Sequence, residues 1–103
     1  LKQIRRRNTE IKLEELANIK NLIRENRSEE AIALLEAYII QHPDCDDMPF
    51  YLLGNAYRKQ SNWQMALNNY LEAIDRNPDS PAFEARKMTM DILEFYNKDM
   101  FNQ

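Results

Sequence analysis

FYLLGNAYRKQSNWQMALNNYLEAIDRNP, residues 50 to 78, decides the fold of this 103-residue chain. Phe50, Leu53, Gly54 and Tyr57 recur at helical spacing, and Ala66, Tyr70 and Pro78 follow. In a helical hairpin, small residues such as Gly54 and Ala66 let two antiparallel helices come close. The rings of Phe50, Tyr57 and Tyr70 then fill the space around that contact. Pro78 closes the second helix, because proline has no amide to donate and obstructs the preceding turn.

The same residues resemble the tetratricopeptide repeat, whose pattern is W-x2-L-G-x2-Y, then A-x3-F, then P, within about 34 residues. Phe50 stands here for Trp and Tyr70 for Phe. Upstream, AIALLEAYIIQHP restates the second half: Ala31, Ile39 and Pro43 stand 35 residues before Ala66, Ile74 and Pro78. The helix before it is marked by Leu16, Ile19, Leu22 and Ile23, with neither Gly nor an aromatic at the signature places. Downstream, Ser80 as N-cap and Pro81 at the first helical position start a fifth helix. In the family, an unpaired last helix closes the exposed end of the stack.

The resemblance therefore implies an all-α, TPR-like α-solenoid of two helix-turn-helix repeats plus a C-terminal capping helix. Helices are expected over 9–26, 29–42, 48–60, 63–76 and 81–97. The domain map is a basic N-terminal extension over 1–8, a single domain over 9–97 and a tail over 98–103. Within the domain, repeat one covers 9–44, repeat two 47–80 and the terminal helix 81–97.

Composition fits one small helical domain. Apolar residues make up 44% and charged residues 30%, and one Gly with four Pro leaves little turn chemistry for β-hairpins. Lys2, Arg5, Arg6 and Arg7 give the first seven residues +4, which leaves −7 on the remainder of a chain of net charge −3. An acidic body repels phosphate backbones, so the basic run reads as a solvated extension and nucleic acid is not the expected partner. No apolar run approaches eighteen residues and no signal segment is visible, so no membrane association and a cytoplasmic location are expected.

HPDCDDMP, residues 42 to 49, holds the chain's one His and one Cys beside three Asp. It lies between the second and third helices, where Pro43 stops one helix, Asp46 or Asp47 can cap the next, and Pro49 suits a first turn. An H-x-x-C spacing lacks a second ligand pair, so the stretch reads as a joint, with no metal. Without a nucleophile–base constellation, a glycine-rich phosphate loop or a paired-carboxylate motif, no catalytic residue, cofactor or enzymatic activity is expected. Glu14/Glu15 and Glu29/Glu30 read as solvated or first-turn carboxylates. Met65 and Met88 read as core.

Function is then expected from surface rather than chemistry. The resemblance implies that the first helix of each hairpin lines a groove, here through Lys20, Ile23, Met48, Tyr51, Asn55, Arg58, Arg86 and Thr89. Basic and apolar groups together suit a protein or peptide partner with acidic and apolar side chains. The family's carboxylate-gripping variant places Lys and Asn on the first helix, Asn on the third, and Lys and Arg on the fifth. This chain offers Leu16 or Ala17, Lys20 or Asn21, Leu52, Ala82 and Arg86 there, and does not meet the pattern. On the last helix, Ala85, Met88, Ile92 and Phe95 make one apolar strip, while Phe83, Met90, Leu93 and Tyr96 make a second surface. A helix apolar on more than one side expects a further neighbour, either the folded-back tail with Met100 and Phe101, a partner protein, or a second copy in a homodimer.

Overall fold

The computed structural model describes the backbone of residues 2–101 and the side chains of residues 13–96. It contains five helices: α1 (Lys2–Arg24), α2 (Ser28–Gln41), α3 (Met48–Lys59), α4 (Trp63–Arg76) and α5 (Ala82–Phe101). No strand occurs among the described residues. Each helix packs on the next in chain order, and α1 also reaches α3. The helix over segment 1–8 begins at Lys2, and the side chains of the basic run Lys2 to Arg7 lie outside the described residues. At the other end α5 runs on through Phe101, so the backbone there continues the helix and does not fold back. The side chains of Met100 and Phe101 also lie outside the described residues.

Two repeats are visible in the burial pattern. On α2, Ala31, Leu35 and Tyr38 are buried, and 35 residues later α4 buries Ala66, Tyr70 and Ala73. Both triplets follow i, i+4, i+7, the inward stripe of a helix packed on one side. At the close contact of the second hairpin, a Cβ on Gly54 would meet the Tyr70 ring, so only glycine leaves room for that ring. The positions 35 residues earlier hold Ile19 and Leu35, 1% and 0% exposed. The first hairpin thus fills the equivalent space with two medium side chains in place of none and one large, which conserves core volume.

The turns inside the two hairpins are also equivalent. The amides of Arg27 and Asn26 donate to the carbonyls of Leu22 and Ile23, at 2.9 and 3.1 Å. Those of Asn62 and Ser61 donate to Tyr57 and Arg58, both at 2.9 Å. This is the paired closure of a helix whose next residue is left-handed, and Asn26 and Ser61 have φ of 63° and 60°. Asn tolerates that region, whereas Ser is strained there by about 1–2 kcal/mol. Ser61→Gly should therefore raise stability by roughly 0.5–1 kcal/mol after glycine's own entropic cost. The check is a thermal midpoint a few degrees higher; an unchanged or lower midpoint would remove the strain argument.

The joint between repeats is built by the HPDCDDMP stretch. Asp46 Oδ1 accepts from the Met48 amide at 3.1 Å, which caps α3, and Asp47 Oδ1 accepts from Asn77 Nδ2 at 3.3 Å. The His42 ring lies against Tyr38, with centroids 4.6 Å apart. From α4, Arg76 reaches back to donate to the carbonyls of Pro43 at 2.9 Å and Cys45 at 2.7 Å, and its guanidinium lies 4.3 Å from the Phe50 ring centroid. Tyr57 Oη donates to Glu36 Oε1 at 3.1 Å, tying α3 directly to α2. Among the described residues, no three His, Cys, Asp or Glu side chains converge as a metal would require.

The seating of α5 departs from the sequence reading. Ser80 caps it as expected, its Oγ accepting from the Ala82 amide at 3.1 Å. The inward residues are Ala82 and Thr89, both 0% exposed, with half-buried Ala85, Arg86 and Leu93 between and beyond them. These lie on one side of the helix and repeat, 33 residues later, the buried Pro49, Leu52 and Ala56 of α3. The register is 33, one short of the expected 34, and the shortening lies in the loop: Phe83 stands five residues after Pro78, whereas Phe50 stands seven after Pro43 in the 35-residue first interval. Phe83 and Met90 accordingly occupy the places of Phe50 and Tyr57, but no described helix follows to cover them. Two core assignments fail for the same geometric reason: Met65 and Met88 flank the inward stripes of their helices and are 37% and 56% exposed.

Candidate functional site

A solvent-open cavity of about 330 Å³ lies between α1 and α3. Helical spacing builds each wall: Lys20 and Arg24 are i, i+4 on α1, while Tyr51, Asn55 and Lys59 follow at steps of four on α3. Ile23 and Leu52, 7% and 2% exposed, close the floor. Among the described residues, Lys20, Arg24 and Lys59 form no ion pair, and the cavity has no carboxylate in its lining. Three cations above an apolar floor create a local positive field on a chain whose net charge is −3.

Behind this wall, Tyr70 Oη donates to Asn55 Oδ1 at 2.6 Å. The bond occupies the amide oxygen and leaves the Asn55 NH2 group to face elsewhere, so Asn55 is set as a donor. The Tyr51 ring lies 6.2 Å from the Tyr70 ring, centroid to centroid. Burial pushes the Tyr70 phenol up to about 12, with nearby Arg58 opposing the shift and Tyr51 adding to it. Burial, followed by the Glu36 hydrogen bond and charge, raises Tyr57 as well.

The structure therefore gathers four of the sequence-selected groove residues, Lys20, Ile23, Tyr51 and Asn55, into one cavity. Half-buried Met48 and Arg58 lie elsewhere on α3, and Met48 packs against the core. Thr89 is a correction. Thr89 is fully buried and its hydroxyl donates to the Ala85 carbonyl at 2.7 Å, so it presents nothing to a ligand. Arg86 is half-buried, with its Nε out of reach of solvent. With the 33-residue register, the α5 counterparts of Tyr51, Asn55 and Arg58 become Glu84, Met88 and Asp91. Sequence reasoning missed Arg24, Leu52 and Lys59; the signal for the two cations was their i+4 spacing from Lys20 and Asn55.

The second surface is open. Phe83, Met90 and Tyr96 are 55%, 44% and 57% exposed, and Leu93 is half-buried. Met88, Ile92 and Phe95, expected to form an apolar strip with Ala85, are also exposed. Among the described residues, no helix is long and apolar enough to cross a membrane.

Comparison with known proteins agrees with this architecture. The family model described as tetratricopeptide repeat matches residues 49–80. A solution NMR structure of the Bacteroides fragilis protein BF1650 is similar over 85% of this chain and 89% of that one, with 57% identity and a TM-score of 0.76. No curated protein matches the sequence.

Proposed function

The chain belongs to the tetratricopeptide repeat family, and on that premise we propose that it is a non-catalytic module that holds a partner segment in the cavity between α1 and α3. Tetratricopeptide repeats generally mediate protein–protein interaction, and the family is typically non-catalytic. The observation that carries the reading is the set of three cations, Lys20, Arg24 and Lys59, which form no ion pair among the described residues and lie above Ile23 and Leu52. Cations without acidic partners favour carboxylates, and the apolar floor favours an aliphatic or aromatic side chain beside them. Tyr51 and the donor-oriented Asn55 would fix the backbone of the segment. Met48 and Arg58 extend the contact along α3.

Fluorescence anisotropy with labelled peptides tests this. Peptides combining Glu or Asp with Leu or Phe should bind, and Lys20→Glu with Lys59→Glu should weaken them by about tenfold or more. Equal binding by lysine-bearing peptides, or no change on charge reversal, would remove the groove.

A second reading is a structural adaptor that homodimerises through α5. The exposed Phe83, Met90 and Tyr96 favour it, and Met90→Glu is the variant that would dissociate such a pair.

A further inference from the structure

We propose that the cavity also accepts α5 of a second copy of this chain, so that two molecules pair about a two-fold axis with the basic end of one over the acidic end of the other. The inference rests on the groove reading above and names one occupant for it. Glu84, Met88, Asp91, Ile92 and Phe95 fall at i, i+4, i+7, i+8 and i+11, which places them on one side of α5. All five are exposed, with Phe95 at 65%. Among the described residues, Glu84 and Asp91 form no ion pair.

The strip has the chemistry the cavity lacks, carboxylates beside large apolar groups, with exposed Lys87 at its edge between Glu84 and Asp91. The 33-residue register puts Glu84, Met88 and Asp91 at the α5 counterparts of Tyr51, Asn55 and Arg58, two of which line the cavity. One side of the stack is therefore cationic at α1 and α3 and anionic at α5. A surface with opposite charges at its two ends is complementary to itself after a half-turn, and each contact then forms twice. Opposite charges also orient the encounter before apolar groups meet. The flank of α5 that bears Phe83 and Met90 stays clear of this contact.

Sedimentation velocity over a dilution series, with helicity checked by circular dichroism, tests the pairing. Wild-type chain should dimerise, and added salt should weaken the dimer. Lys20→Glu with Arg24→Glu, and separately Glu84→Lys with Asp91→Lys, should each weaken it by about tenfold or more. An equimolar mixture of the two variants should recover the dimer, because each reversed groove then faces a reversed strip. This recovery also shows that both variants fold. A monomer at every concentration overturns the proposal. So does a dimer that ignores both reversals but dissociates with Met90→Glu, which would assign pairing to the outer face of α5. A monomer that still binds the acidic peptides keeps the groove reading and loses only this inference; a monomer that binds none loses both.

Discussion

Gly54→Ala is expected to destabilise the protein by about 2 kcal/mol and Gly54→Val by about 3 kcal/mol or more, from overpacking of a filled core. Helix propensity alone predicts the opposite sign for alanine, a gain of about 1 kcal/mol. The opposing force is steric. A Cβ on residue 54 falls on the Tyr70 ring, and Tyr70 is 0% exposed with its hydroxyl held by Asn55 at 2.6 Å. The ring cannot step aside without losing that bond and its packing between α3 and α4. Urea titration of the two variants settles the sign: an alanine variant more stable than wild type would mean that α3 and α4 do not approach closely here.

Raising the pH from 10 to 12 should remove about 2 kcal/mol of stability through Tyr70. Its phenol lies near 10.0 when unfolded and is pushed up to about 12 when folded, chiefly by burial. Between those values the folded protein retains a proton that the unfolded chain has lost. The stabilisation is therefore fully present below pH 10 and is lost as pH rises toward 12. Tyr70→Phe keeps the ring and should cost about 1 kcal/mol at neutral pH, for the lost hydrogen bond. Its stability should then fall less steeply above pH 10, with Tyr57, also raised, supplying the remaining slope. Equal slopes for both proteins would show that the Tyr70 phenol is not protected by folding.

The second hairpin was legible almost residue by residue, because Gly54, Ala66 and Tyr70 act on one another at a single contact. The first was fainter for a physical reason: Ile19 and Leu35 fill the equivalent space with no glycine and no ring, so only periodicity remained to mark α1. Its turn became recognisable only in the structure, where Asn26, 35 residues before Ser61, is left-handed like it. On α5 a one-residue difference in the preceding loop rotated the helix relative to the expected pattern. That rotation put Thr89 in the core and Glu84 and Asp91 on the side assigned to Arg86. The recurrence of Phe50 as Phe83 carried the correct spacing, but a single aromatic does not fix a register. Lys20 and Asn55 were found from the pattern, whereas Arg24 and Lys59 became part of a site only when α1 and α3 were seen side by side.

Arg76 gives the short array a property its contact pattern alone would not. In stacked repeats, each hairpin touches its neighbours, and cooperativity depends on how strongly adjacent units are coupled. A guanidinium that spans from the end of α4 to the carbonyls before α3 ties the last turn of one hairpin to the exit of the previous one. Local opening of either unit must first release that clasp, so the two hairpins are expected to open together, with their slowest-exchanging amides reporting a common free energy.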